Sequence, residues 1–272
     1  MPTTTQVIYH GNCQDGMTAA WAAWKRFGDS AEYRAANYGD PLPMIDDGTP
    51  VFVLDFSYPR ATLVGLERRC PVTVLDHHKT AQADLDGLSF AIFDAEMSGA
   101  SLAWWYFHDS GRTQAWPRIV QYVEDRDLWR FALPESREIS QWLRCFPYTL
   151  DAWDAAAQQL EARWDLCARD GRAMLRFQDQ AVSVMADRAV WRDIGGYRVP
   201  VVNATVFFSE VGERLCSLHP EAPFAAYYFD RQDGKRQWGM RSRGDFDCSA
   251  VAKKLGGGGH PGAAGFTEEI PA

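Results

Sequence analysis

The residues of this chain best suited to chemistry stand at the ends of short apolar runs. Asp76-His77-His78 directly follows Val72-Thr73-Val74-Leu75. A β-branched run of that length is a strand signal, and the carboxyl end of a strand in an open α/β sheet is where ligands bind. One carboxylate and two imidazoles offer oxygen and nitrogen ligands for a divalent metal, together with a proton-handling or phosphate-binding group. Consecutive residues leaving a strand point in different directions, so the two imidazoles are expected to do different jobs. One would ligate metal, and the other would meet a substrate phosphate or be held by a neighbouring group.

Two earlier strand ends carry matching groups. Gln6-Val7-Ile8-Tyr9 runs into His10-Gly11-Asn12-Cys13-Gln14-Asp15-Gly16, and Val51-Phe52-Val53-Leu54 runs into Asp55-Phe56-Ser57-Tyr58-Pro59. His10, Cys13 and Asp15 share one strand-to-helix turn and can converge on a metal. Asp55, from a neighbouring strand, can bridge two cations. Two metals roughly 3.5–4 Å apart clamp the attacking and leaving oxygens of a phosphoryl transfer. Taken singly, Asp15 reads as a helix cap and Asp55 as a turn residue; taken together, the three strand ends read as a metal centre.

Two further segments bear on the same chemistry. Glu124-Asp125-Arg126-Asp127-Leu128-Trp129-Arg130-Phe131 is acidic, and either Asp125 or Asp127 can complete a metal shell. Near the C-terminus, Gly256-Gly257-Gly258-Gly259-His260 continues into Pro261-Gly262-Ala263-Ala264-Gly265-Phe266. Backbone N–H groups of Gly257, Gly258 and Gly259 can cradle a phosphate, with His260 as an added donor. Arg241-Ser242-Arg243 supplies local positive charge and a hydroxyl.

The elements that must position these groups alternate in the first half. Strand signals at residues 6–9, 51–54, 72–75 and 90–93 are separated by helical patterns at 17–27 and 60–69. That order implies right-handed βαβ units, so the expected fold is α/β, with an N-terminal doubly wound, mainly parallel sheet domain over residues 1–150. From Asp151, a plausible N-cap, to about residue 190 the pattern is helical and interrupted at Gly171, as suits a connector. Residues 191–272 carry strand signals at 197–204, 224–230 and 236–241, a Gln232-Asp233-Gly234-Lys235 turn and a short helical piece at 249–255. They are expected to form a smaller C-terminal α+β domain.

Composition narrows the partners. Net charge is −8 across 272 residues, which leaves no broad basic field for stable duplex DNA binding. No apolar run approaches the roughly 20 residues of a membrane span, and the first residues show no signal peptide. Six scattered cysteines without a CxxC pair suit reduced thiols and a cytoplasmic location.

On His10-x-x-Cys13-x-Asp15-Gly16, Asp55, Asp76-His77-His78, the 125–131 acidic segment and Gly257-Gly258-Gly259-His260 with Ala263-Ala264-Gly265, the chain resembles the DHH phosphoesterase superfamily. The resemblance extends to its C-terminal DHH-associated substrate domain and covers nearly the whole length. It implies two Mn²⁺ ions, with Mg²⁺, Zn²⁺ or Fe²⁺ as substitutes. His10, Cys13 and Asp55 would hold one ion; Asp15, Asp55, His77 and Asp127 the other. Asp127 is preferred to Asp125 because family members often carry Phe four residues after this Asp, as Phe131 is here. The resemblance also makes His78 a catalytic contact to the scissile phosphate and Asp76 its organiser. It gives Arg241, Ser242, the glycines and His260 to substrate.

The implied activity is hydrolysis of short oligonucleotides or dinucleotides by two-metal activation of water. A phosphatase for pAp, pyrophosphate or polyphosphate, and a non-catalytic nucleotide sensor, are the alternatives. A homodimer is compatible with the sequence. One departure stands out: most members carry Asp-x-Asp, one residue further from the His, where this chain has Cys13-x-Asp15. A neutral thiol hardly binds Mn²⁺, so the first site is expected to be weaker or to prefer Zn²⁺ or Fe²⁺.

Overall fold

In a computed structural model that describes residues 4–109 and 115–270, the first strand signals become a five-stranded parallel sheet. Its elements are β1 (Thr5–His10), α1 (Gln14–Phe27), β2 (Ala31–Ala36), β3 (Val51–Leu54), α2 (Arg60–Glu67), β4 (Val72–Asp76), α3 (Lys79–Asp84) and β5 (Ala91–Phe93). The strand order is β2-β1-β3-β4-β5, and every pairing is parallel. The order reverses between β1 and β3, which makes that gap the topological switch point where such sheets bind ligands.

The sheet is apolar on both faces, as a parallel sheet covered by helices must be. Val7, Leu54 and Leu75 face Ala19, Ala22 and Ala23 of α1 together with Leu102 and Ala103, whereas Ile8, Val53 and Val74 face Leu63 and Leu66 of α2. Because side chains alternate along a strand, Val53 and Leu54 serve opposite layers. The strand β2 escapes the sequence pattern because it lies at the sheet edge, where half of Ala31-Glu32-Tyr33-Arg34-Ala35-Ala36 is exposed.

After β5 the alternation stops. α4 (Gly99–His108), α5 (Arg118–Asp127), α6 (Ser136–Leu143), α7 (Leu150–Ala162) and α8 (Trp164–Ala186) follow. Ile119, Val123, Trp142, Leu143, Trp153 and Leu160 build a second core against Met17 and Trp21 of α1. Two indole hydrogen bonds fix its register: Trp153 Nε1 donates to Thr18 Oγ1 and Trp21 Nε1 to Asp154 Oδ1, each at 2.9 Å.

The chain divides into two units, Met1–Met174 and Leu175–Ala272. The helical stretch 151–190 is thus shared between them, with α7 and the first turns of α8 packed in the first unit. Thr149 rather than Asp151 is the N-cap of α7, and Asp151 lies in its first turn. The helix break falls at Arg163, not Gly171. Gly171 is continuous helix, and its lack of a side chain lets α8 close onto α6: a Cβ there would stand 2.0 Å from the Glu138 carbonyl oxygen.

The second unit holds the rest of α8 and a six-stranded mixed sheet, β10-β11-β9-β8-β7-β6. Its strands are β6 (Val190–Ile194), β7 (Tyr197–Asn203), β8 (Phe224–Asp230), β9 (Lys235–Ser242), β10 (Gly258–His260) and β11 (Ala263–Glu269), with α9 (Phe208–Leu218) and α10 (Cys248–Lys254). Only β7 and β8 pair in parallel, and α9 is their crossover. The Asp233-Gly234 turn closes the β8–β9 hairpin. Among the described residues no helix is long and apolar enough to cross a membrane.

The Gly171 contact gives a matched pair of variants. Gly171→Ala is expected to lower stability by about 1–3 kcal/mol through overpacking against α6. Gly65→Ala, in α2 with nothing within 4 Å of the added carbon, is expected to be neutral or to gain up to about 1 kcal/mol. Urea unfolding of both variants measures the contrast.

Candidate metal centre

Three strand ends and two helix ends meet at the switch point. His10 closes β1, Asp55 follows β3, and Asp76-His77-His78 ends β4. Asp15 lies in the first turn of α1, two residues after Cys13, and Asp127 is the last residue of α5. Ligand atoms of His10, Cys13 and Asp55 lie within 4.8 Å of one another, as do those of Asp15, His77 and Asp127, and those of Asp55, His77 and His78. His77 Nε2 stands 3.3 Å from Asp55 Oδ1 and 3.6 Å from both Asp15 Oδ2 and Asp127 Oδ2. His10 Nδ1 is 3.5 Å from Asp55 Oδ2. Asp55 is the residue common to both sides.

The carboxylates differ in how their charge is met. Asp76 is fully buried and completely engaged: it accepts from the His77 amide at 2.7 Å, the His78 amide at 3.1 Å and the Ser57 hydroxyl at 2.6 Å, and it pairs with His78 Nδ1 at 2.7 Å. It shapes the turn and orients His78. Asp15 accepts the Gly99 and Ala100 amides at the start of α4, at 2.6 and 2.9 Å, where the helix N-terminus favours negative charge. Asp55 is 1% exposed, yet neither of its carboxylate oxygens has a hydrogen-bond partner among the described residues. It is also held at φ +63°, a left-handed conformation that costs a non-glycine residue about 1–3 kcal/mol. Gly99 makes room for it, since a Cβ there would lie 2.5 Å from the Asp55 Cβ.

Asp125 and Asp127 separate cleanly. Asp125 is buried and receives the Ala132 and Leu133 amides at 2.8 and 3.3 Å, bracing the turn in which Trp129 and Phe131 take positive φ. Asp127 is the one that reaches His77.

These anions press on one another. Burial and the charges of Asp55 and Asp127 push the Asp15 carboxyl well above its usual range, and burial with the Asp55 charge pushes Asp127 up. Burial works against ionised Asp55 too, but His10 and His77 outweigh it and hold this carboxyl down at about 2. Cys13 is pushed up to about 12, first by burial and then by Asp55 and Asp15, so its thiol is neutral while no cation is near. The bond to Asp76 raises His78 despite its burial.

A buried carboxylate that accepts no hydrogen bond among the described residues, with an imidazole and a thiol on one side and an imidazole and two carboxylates on the other, can serve as the donor set of a divalent metal centre. The site residues fit such ions.

The C-terminal segment is built differently from an open glycine cradle. Gly258–His260 is strand β10, hydrogen-bonded in a hairpin with β11, and the Gly257 amide donates to the Ala252 carbonyl at 2.8 Å. Gly257 is required for packing, because a Cβ would meet the Gly265 carbonyl oxygen at 2.0 Å. Ser242 is buried, and its hydroxyl donates toward the carbonyls of Phe246 and Pro261 at 2.7 and 2.8 Å, bracing the hairpin turn. His260 and Gly259 are exposed, and Arg241 lies at the end of β9 opposite Ala263. Sequence reasoning missed Gly99, Ser57 and Tyr38, which hold or border the centre through contacts distant in sequence. A Gly-Ala-Ser helix start after Ser98 was the one local signal for Gly99.

Metal binding and pH are coupled here. Raised folded-state carboxyl pKa values mean that metal-free protein loses stability as pH climbs from the ordinary carboxylate value near 4 through the raised ones. We expect melting temperature in chelator to fall as pH rises above about 4, with the slope reduced in Asp15→Asn. Mn²⁺ at a hundred times its Kd should add about 2.7 kcal/mol near neutral pH. Thermal melts with chelator or Mn²⁺ check both.

Comparisons with known proteins bear on the fold and on the second unit. Residues 209–270 match the DHHA1 domain. An uncharacterized protein, R106, of Acanthamoeba polyphaga mimivirus is 27% identical over 96% of this chain and 66% of its own length. Oligoribonuclease NrnB of Bacillus subtilis (strain 168) is 25% identical over 73% of this chain and 54% of its own. The chain therefore spans less than two thirds of the length of either relative. In fold it is similar to the pGpG-specific phosphodiesterase PggH from Vibrio cholerae, with TM-score 0.57, 11% identity and coverage of 98% and 94% of the two chains. It is likewise similar to RecJ from Thermus thermophilus in complex with Mn²⁺, with TM-score 0.54, 17% identity and coverage of 98% and 50%. The DHHA1 match over residues 209–270 and the Asp76-His77-His78 turn at the switch point of the first unit's sheet support the resemblance to the DHH superfamily.

Proposed function

We propose that this chain is a divalent-metal-dependent phosphoesterase that hydrolyses phosphodiester bonds of short oligonucleotides or dinucleotides. The observation that carries the reading is Asp55, buried with neither oxygen in a hydrogen bond among the described residues, between His10 and Cys13 on one side and His77, Asp15 and Asp127 on the other. The name of the Bacillus relative, an oligoribonuclease, supports a short RNA substrate, and the Mn²⁺ complex of RecJ supports the metal.

When bound, two divalent cations would supply Lewis acidity toward water and the phosphoryl oxygens. The chain's own residues do the rest. Asp55 would be the shared ligand, His10 and Cys13 would complete one site, and Asp15, His77 and Asp127 the other. Asp76 fixes the His78 ring through Nδ1 and stabilises its protonated form. That leaves Nε2 to donate to a phosphoryl oxygen as charge develops. In the second unit, Arg241, His260 and the amides of Gly258 and Gly259 would bind a substrate phosphate, with Ser242 and Gly257 holding their hairpin in shape.

One observation favours a second reading. With Cys13 where a carboxylate would supply a fixed negative charge, one site is poorer in hard anionic ligands, which suits a protein that binds nucleotides without cleaving them. Binding of a labelled dinucleotide without cleavage across Mn²⁺, Mg²⁺, Zn²⁺ and Fe²⁺ would favour that reading.

His77→Ala is expected to lower Mn²⁺-dependent turnover of a dinucleotide by at least about a hundredfold while leaving the circular dichroism spectrum unchanged. Full activity in that variant refutes the assignment. Cys13→Asp is expected to raise the affinity of the weaker site, read as bound Mn²⁺ per chain after dialysis. Unchanged occupancy and affinity would remove Cys13 from the metal shell.

A further inference from the structure

Beside the metal-ligating residues, the first unit holds a cavity of about 410 Å³ whose walls include Tyr38, Leu42, Phe56 and Tyr58. Tyr38 links it to the centre. Its ring stands edge-on to three neighbours: His10 with centroids 5.5 Å apart, Phe56 at 6.0 Å and His78 at 6.1 Å. Yet Tyr38 is 55% exposed, unusual for an aromatic ring with so many aromatic neighbours. The loop that carries it is held by the Asn37 amide, which donates to Asp40 Oδ2 at 2.7 Å. Tyr58 is 4% exposed, and its hydroxyl is buried with no hydrogen-bond partner among the described residues. A buried donor of that kind normally finds a partner.

The charge of the cavity selects among occupants. No Lys or Arg lines it, whereas Asp40 and Asp84 do. A phosphate, pyrophosphate or polyphosphate would be repelled there. A flat, uncharged heterocycle with donors and acceptors on its edge suits aromatic walls and an unpartnered hydroxyl.

We propose that this cavity is a nucleobase subsite: Tyr38 supplies an aromatic surface for the base, the Tyr58 hydroxyl is a hydrogen-bonding group for its edge, and the attached phosphate lies toward His78. The proposal rests on the phosphoesterase reading and deepens it, because it makes the substrate a nucleotide rather than an inorganic phosphate chain.

The test compares adenosine 5′-monophosphate with ribose 5-phosphate, which shares the sugar and phosphate but lacks the base. Both are titrated calorimetrically into the full chain in one Mn²⁺ buffer. The nucleotide is expected to bind about tenfold more tightly or better, the range of one stacked base. Tyr38→Ala should remove most of that preference while changing ribose 5-phosphate affinity less than about twofold, and Tyr38→Phe should keep it. Thr62→Trp, which fills the cavity from another wall, should act as Tyr38→Ala does. Equal affinity of the two ligands for wild type, or a preference that survives both Tyr38→Ala and Thr62→Trp, overturns the subsite. The two readings fail separately. Base preference with no dinucleotide hydrolysis in any divalent metal keeps the subsite and removes the esterase, whereas hydrolysis without base preference removes the subsite alone.

Discussion

The constraint on which the first unit depends is the burial of several carboxylates around one switch point. Asp15, Asp55 and Asp76 are each at most 1% exposed. Buried anions are tolerated when they are hydrogen-bonded, paired with cations or neutralised. Asp76 meets the first condition through Ser57, His78 and two amides, and Asp15 partly meets it through the start of α4. Asp55 does not meet it with hydrogen bonds at all. This gradient sorts residues of one type into different roles. The satisfied carboxylate builds the turn, whereas Asp55 is met by the His10 and His77 imidazoles, at 3.5 and 3.3 Å, and can take a cation beside them. The left-handed backbone at Asp55 and the missing side chain at Gly99 both serve to keep that one group between the two imidazoles.

Cys13 changes the balance of the same cluster. A carboxylate in its place would add a further negative charge beside Asp15 and Asp55, which already press on each other. A neutral thiol relieves that repulsion in the metal-free protein. It also removes part of the attraction for a dication, so both effects have one cause. Metal-free stability and metal affinity are expected to move in opposite directions when this position changes.

Much of the centre is legible in the sequence because strand ends in a parallel sheet are forced to one edge. Short β-branched runs locate β1, β3 and β4, and whatever follows them has to meet at the switch point. That reasoning brings His10, Asp55 and His77 together without any knowledge of distances. It does not reach Asp15's partners, because Gly99 and Ala100 are more than eighty residues away and their role is carried by backbone amides. The edge strand β2 lacks the pattern of a buried strand, and α4 to α6 lie where the alternation of the first half ends. The glycine run reads as an open phosphate cradle, whereas the structure makes it a hairpin in which glycine is needed for close approach of backbones. Composition reveals that glycine is required but not which neighbour requires it. Gly171 repeats the lesson on a helix, where a residue that reads as a break is instead the contact between α6 and α8.

On the proposed reading, the charge count also explains how an acidic protein can hold an acidic substrate. The chain carries a net charge of −8, and the metal-free centre repels a phosphodiester. Asp15, Asp55 and Asp127 contribute at most three negative charges to the ligand set, with Asp76 already paired to His78. Two divalent cations would bring four positive charges, which exceed the three carboxylates before Cys13 is counted, and a bound cation would draw the proton from that thiol. The cluster's negative charge would therefore be met on metal loading, and His78, favoured in its protonated form, adds positive charge beside it. Substrate affinity becomes conditional on metal, while the protein's general acidity keeps long polyanions away from the rest of its surface. The cations that the buried carboxylates would hold are thus the same groups that would let an acidic chain receive a phosphate.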